Sequence, residues 1–99
     1  MAADRKLPCL YVLASGRNGT LYVGVTSNLI KRVWEHKNDV VPGFTKRYAA
    51  HILVWFEMHS TMEAAITREK AIKRWQRKWK LELIEKTNPY WRDLYGEIV

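Results

Sequence analysis

The chain has 99 residues, 47% of them hydrophobic, with five tryptophans, five tyrosines and a formal net charge of +7. That length suffices for one domain with a modest core, much of it supplied by the aromatic side chains. No apolar run approaches the ~18 residues that suggest a membrane helix, and the single cysteine, Cys9, excludes an internal disulfide and a cysteine zinc cluster. The segment Met1-Ala2-Ala3-Asp4-Arg5-Lys6 lacks the apolar stretch of a secretion signal, so a reducing, cytoplasmic setting is expected.

In chain order, Leu7 to Ala14 is predicted to be a strand. Ser15-Gly16-Arg17-Asn18-Gly19 has turn chemistry, since glycine and asparagine tolerate positive φ. Leu21 to Val25 follows as a second strand, completing an antiparallel hairpin. Thr26-Ser27-Asn28 offers N-cap side chains for a helix reaching about Lys37. Asn38 to Tyr48, with Pro42-Gly43 inside it, is predicted to be a loop, and His51 to Phe56 a short, buried third strand. Ser60 or Thr61 caps the next helix, with Glu63 near the positive end of its dipole. That helix is expected to run to about Arg77 or beyond, and the pattern from Trp79 to Lys86 remains helical. No glycine or proline near Arg77 decides between a bend and a break. Asn88-Pro89 is expected to open a final short helix. With no repeat, low-complexity stretch or linker, the expectation is one α+β domain over 1–99.

The positive charge is uneven. Arg68, Lys70, Lys73, Arg74, Arg77, Lys78 and Lys80 follow one another closely, with Glu69 the only acid among them. Such a stripe suits phosphate backbones, where each contact releases counterions. A solvated helix face is the plainer alternative. Trp75 and Trp79, interleaved with these charges, suit either the core or a sugar or base face.

A smaller set of residues carries chemistry. On a helical wheel Arg32 stands between Leu29 and His36, so the arginine and histidine meet at one edge of the stripe of Leu29, Ile30, Val33 and Trp34. Together they can bind an anion, since guanidinium matches phosphate bidentately; alternatively they are boundary residues with their heads in water. Glu69 is surrounded on its wheel by Met62, Ala65, Ile66 and Ile72. Burying an ion there costs several kcal/mol, so it calls for a partner charge or a metal. Magnesium is the natural ion for an oxygen-only site; with one carboxylate it would keep several waters, borrow phosphate oxygens and be weakly held without nucleic acid.

Tyr11 and Tyr22 lie on the two arms of the hairpin and can project into one cleft, or pack with their hydroxyls tied to carbonyls. A phenol is a poor base unless positive charge lowers its pKa, which a metal and Arg32 can do. Tyr48 and Lys46 can face the same site from the loop. His51 and His59 make no metal-binding spacing with His36. Ser15 and Ser27 lack an acid–base partner, and Gly16-x-x-Gly19 does not suit a phosphate-binding loop.

Taken in order, these residues resemble the GIY-YIG nuclease superfamily, in particular its small stand-alone members, which look like the N-terminal domain of the bacterial repair excinuclease. Cys9-Leu10-Tyr11 stands where the first triplet would be and Tyr22-Val23-Gly24 where the second would be. Thr26, Leu29, Arg32 and His36 fit the helix pattern, Glu69 the metal-binding glutamate, and Asn88 the late asparagine. Each triplet alone is weak evidence; the ordered set, covering residues 8–93, is specific.

The resemblance implies a three-stranded antiparallel sheet flanked by helices, and hydrolysis of a DNA phosphodiester with one Mg²⁺ or Mn²⁺ ion. It implies that Glu69 holds the metal, that Arg32 stabilises the phosphoryl oxygens, and that Tyr11 or Tyr22 deprotonates water while His36 orients or relays protons. Tyr11 is the preferred base. Gly24, Tyr48 and Asn88 are expected to support the site, with Lys46 and the basic stripe on DNA. Cys9 replaces the glycine of the first triplet, a backbone position rather than a reacting group. Family nucleases usually take specificity from an attached DNA-binding region, so a protein partner is possible here. Two other readings compete: a nucleic-acid-binding module of the same fold without catalysis, and an interaction domain. RNA, and the choice among duplex, nicked, branched and single-stranded DNA, stay open.

Overall fold

The computed structural model describes residues 7–99; the opening hexapeptide, on which the expectation of no secretion signal rests, lies outside the described residues. Three strands, β1 (Cys9–Ala14), β2 (Leu21–Thr26) and β3 (Ile52–Met58), form an antiparallel sheet in the order β2-β1-β3. The helices are α1 (Leu29–Lys37), α2 (Phe44–Arg47), α3 (Met62–Lys73), α4 (Arg77–Thr87) and α5 (Tyr95–Ile98). The domain is therefore α+β, as expected. Among the described residues no helix is long and apolar enough to cross a membrane.

β1 is apolar at every position because it is the central strand and both its faces are covered. Cys9, Tyr11 and Leu13 point to one layer, with Leu29 and Val33 of α1, Leu53, and Tyr95 and Ile98 of α5. Leu10, Val12 and Ala14 point to the other, with Val23, Val54, Trp55, Ile72 of α3 and Ile84 of α4. Pairing sets Tyr11 opposite Gly24 and Leu13 opposite Tyr22. On the other side Val12 faces Trp55 and Leu13 faces Leu53, so Val54 is an extra, bulged residue. Asn88 secures that bulge: its buried side-chain amide donates to the Val54 carbonyl at 3.1 Å.

The caps follow the local rules. The Asn28 side chain accepts from the Lys31 N–H, and Thr61 accepts from Ala64. Four expectations change in the folded chain. His36 is buried at 1% exposure, in line with Leu29 and Val33, rather than at the edge of their stripe, while Trp34 is half exposed. The predicted loop contains the one-turn helix α2, entered through Gly43 at φ 107° and left through Ala49 at φ 53°. The long helix breaks: α3 closes at Lys73, and Gln76 is extended before α4. Trp75, in the break, packs against the sheet layer and under the Arg68 guanidinium, 5.4 Å from its ring centroid, so tertiary contacts interrupt the helix without glycine or proline. Lastly, Asn88 caps the end of α4 and the final helix begins only at Tyr95, because the Asn88 side chain instead holds the Arg92 backbone in a turn.

Candidate active site

The antiparallel register puts Tyr11 and Tyr22 on the same sheet face, their ring centroids 6.2 Å apart, and α1 lays His36 over both. Tyr11 Oη lies 3.0 Å from His36 Nε2, and His36 Nδ1 lies 2.8 Å from Thr45 Oγ1 of α2. A neutral imidazole has one donating and one accepting nitrogen. With the phenol donating to Nε2, Nδ1–H donates to the threonine hydroxyl. Tyr11, His36 and Thr45 are each at most 2% exposed, so this is a buried, fully partnered chain of polar groups.

Gly24 makes the assembly possible. A Cβ built there would lie 2.5 Å from both the Tyr11 Cζ and hydroxyl, and 2.9 Å from Tyr22 Cε2. The tyrosine rings therefore lie across the space that a side chain would fill.

Arg32, one turn before His36, is 39% exposed and bonds Glu35 at 3.3 Å. It borders an open polar hollow at the end of β2, lined also by Thr26, Asn28 and Lys31. Burial pushes the Tyr11 phenol above the ordinary tyrosine range and Tyr22 adds to the push, while the Arg32 guanidinium opposes it. Burial, with Arg32 nearby, holds His36 below its ordinary value of 6.5, against the pull of Glu35. The sign for stability follows. The unfolded chain takes up the His36 proton near pH 6.5 while the folded chain still resists it, so stability falls as the pH drops from 6.5 toward the lower folded value. Denaturant midpoints measured across this range should fall for the wild type, with the His36→Gln curve flatter. Equal slopes would show that His36 is not the group responsible.

Thr45 carries no signal in the sequence, where it is an ordinary loop threonine. Only burial opposite a histidine from another element reveals it. Thr45→Val keeps the shape but leaves Nδ1 unpartnered, an expected loss of about 1–3 kcal/mol in chemical denaturation; an unchanged midpoint would contradict this.

Glu69 lies apart from this cluster. It faces inward between Ala65 and Ile72 with its side chain 13% exposed, and Lys73 pairs with it at 3.3 Å. α3 packs on β1 and β2, with Ile72 in the layer of Leu10 and Val12, so Glu69 is carried on the sheet face opposite Tyr11. Among the described residues, no three His, Cys, Asp or Glu side chains converge on a metal site. One carboxylate fits an ion that keeps its waters and completes its shell with substrate oxygens.

The basic stripe is divided by the helix break. Arg68 bonds Glu57 at 3.3 Å, and Arg77 donates to the Asn18 and Gly19 carbonyls at 2.7 Å, fastening the β1–β2 turn. Lys70, Arg74 and Lys78 are exposed and make no side-chain bond among the described residues, and Lys46 is exposed on α2. Tyr48 stands on the surface beside Phe44, their ring centroids 4.7 Å apart. Asn88 is bound to β3, across the sheet from Tyr22. Cys9 is buried with its thiol pushed up to about 12, an inert packing group. His51 and His59 are occupied by Asp39 and Glu57 respectively.

Residues 7–82 match the family model described as the GIY-YIG catalytic domain, and the chain belongs to the GIY-YIG nuclease family. It is 37% identical over 68 residues to a UPF0213 protein of Staphylococcus saprophyticus, covering 69% of this chain and 83% of that protein. A UPF0213 protein of Clostridium perfringens is 36% identical over 75 residues, 76% of this chain and 80% of the relative. A structure-specific endonuclease subunit of Aspergillus fumigatus is 37% identical over 75 residues, 72% of this chain but 18% of that longer protein. No solved structure matches the chain significantly.

Proposed function

We propose that this protein is a metal-dependent endonuclease that hydrolyses DNA phosphodiester bonds, in the cytoplasm and in the service of repair or recombination. The observation that carries the reading is the buried Tyr11–His36–Thr45 chain beside Tyr22 and Arg32, in a nuclease family. A structural pair alone has no need of a histidine buried between a phenol and a threonine, since apolar groups would fill that space without desolvating polar atoms.

In this reading Tyr11 takes a proton from the attacking water. A standing phenolate is disfavoured by burial, so the phenol proton leaves only as His36 Nε2 receives it. Thr45 holds the ring in the tautomer that leaves Nε2 free to accept. Tyr22, the more exposed of the two tyrosines, borders the water, and Arg32 neutralises charge on the phosphoryl oxygens. Glu69 would hold one Mg²⁺ or Mn²⁺, which when bound polarises the phosphate and steadies the leaving oxygen. Because Glu69 and the tyrosines are on opposite sheet faces, a strand reaching both would cross the β2 edge, where Arg32 opens to solvent. Lys70, Arg74 and Lys78 would meet the flanking backbone. A protein partner could add specificity, and RNA is a second possible substrate.

The test is cleavage of labelled duplex, nicked, branched and single-stranded DNA with Mg²⁺, Mn²⁺ or EDTA, using wild type beside Tyr11→Phe. Metal-dependent cutting that the variant loses supports the reading. Binding that weakens with salt, with no metal-dependent product on any substrate, would replace it with a non-catalytic binding module.

A further inference from the structure

A row of rings leads from the candidate site to the surface. Tyr11 is followed by Tyr22 at 6.2 Å, Tyr22 by Phe44 at 5.9 Å and Phe44 by Tyr48 at 4.7 Å, with the Arg47 guanidinium 5.5 Å over the Tyr48 ring. Burial falls along the row: Tyr11 is 1% exposed, Phe44 41% and Tyr48 44%. Single exposed aromatics such as Trp34 or Tyr90 are ordinary surface residues. Phe44 and Tyr48 differ because they are one turn apart on the same helix, stacked on each other, and flanked by Lys46 and Arg47.

The turn that carries them is fastened at its middle and at both ends. Thr45, between the exposed residues, points inward to His36 at 2.8 Å. Gly43 at φ 107° admits the chain, and Ala49 at φ 53° releases it, with the Ala50 N–H bonded to the Thr45 carbonyl at 2.9 Å. α2 therefore holds two solvent-facing rings at a set distance from the candidate catalytic histidine. Among the described residues Lys46 and Arg47 have no acidic partner, so their charge is available to an anion.

We propose that Phe44 and Tyr48, with Lys46 and Arg47, form a stacking platform for an unpaired nucleobase next to the scissile phosphate, so that α2 selects nucleic acid with single-stranded character. The inference rests on the nuclease reading for what lies beside the platform. Its logic is steric and electrostatic. A base in a duplex has both faces covered by its neighbours, whereas an unpaired base presents a face to an aromatic ring and a phosphate to the adjacent cation. Continuity of the row with Tyr22 places the platform beside the candidate site rather than on a remote surface.

The test is binding in EDTA, where no cutting occurs. A fluorescent single-stranded oligonucleotide carrying 2-aminopurine at successive positions is compared with its duplex, with an RNA of the same sequence, and with an oligonucleotide bearing abasic residues in the centre. Wild type should quench 2-aminopurine at a limited set of positions and bind the abasic oligonucleotide more weakly. Phe44→Leu and Tyr48→Leu should each lose on the order of tenfold in affinity for the single strand, and more than for the duplex, since base–aromatic stacking carries that much. Tyr48→Phe, which keeps the ring, should rescue the loss. Arg47→Gln should lower the salt dependence by about one ion. Comparison of DNA with RNA arms reads whether the sugar matters; quenching on either supports the platform.

Equal losses on duplex and single strand, or no position-dependent quenching, would overturn the proposal. Thermal melting of each variant separates lost stacking from lost folding, and because both rings are exposed a melt like the wild type is expected. Since no catalysis is read, stacking without metal-dependent cleavage would sink the nuclease reading and leave the platform, while cleavage without stacking would do the reverse.

Discussion

Replacing Glu69 with glutamine is expected to abolish metal-dependent cleavage while leaving the fold and DNA binding in place. The substitution keeps shape and volume and removes the charge from the inward-facing carboxylate of α3. If that carboxylate is the protein's ligand for the ion, several kcal/mol of charge stabilisation go with it, or roughly a thousandfold or more in rate. The structural cost is small: its pairing with Lys73 is between neighbouring helix turns, worth about 0.3–0.5 kcal/mol. Single-turnover rates with Mg²⁺, set beside affinities in EDTA, separate the two effects. A variant that cuts at the wild-type rate would remove Glu69 from the site and with it the proposal that DNA crosses the β2 edge.

Gly24→Ala should damage both stability and activity through one methyl group. The backbone at position 24 is ordinary strand, so alanine is not strained there; the new carbon meets the Tyr11 ring and hydroxyl at 2.5 Å. Tyr11 cannot swing aside freely, because its hydroxyl is bonded to His36 and its ring is packed in the layer of Leu13 and Val33. Overpacking of this kind costs about 1–3 kcal/mol, a fall in melting temperature of roughly 5–20 °C for a domain of this size. Displacing a reacting group by about 1 Å costs on the order of a hundredfold in rate. Thermal unfolding and cleavage kinetics on the same preparation would test both. A variant that melts and cuts as the wild type does would mean that Tyr11 is neither held at Gly24 nor needed where it stands.

The glycine of the second triplet is thus explained by the side chains that cross it, and the first triplet by its burial. Cys9 starts β1 with its side chain in the same packed layer as Tyr11, where an extra thiol fills space and makes no chemistry. The departure from glycine there is a matter of packing. The basic stripe divides differently: Arg77 holds a turn and Arg68 an acid, while Lys70, Arg74 and Lys78 keep exposed charge. Composition cannot distinguish these uses, because an arginine that bonds carbonyls and one that waits for phosphate have the same pattern of neighbours in the chain.

Strand alternation, turn residues and helix caps act over a few residues. The hairpin, the caps at Asn28 and Thr61, the third strand and the α+β class were therefore legible in the sequence by itself, and the ordered polar residues pointed to the family. The tertiary structure alone decided which layer each helix covers. It put His36 inside rather than at an edge, supplied Thr45 as its partner, broke the long helix at Trp75, and set Glu69 on the sheet face opposite Tyr11. The physical reason is that a buried polar atom must find its partner wherever packing brings one. His36 and Thr45, nine residues apart, are joined by the fold and not by any local period.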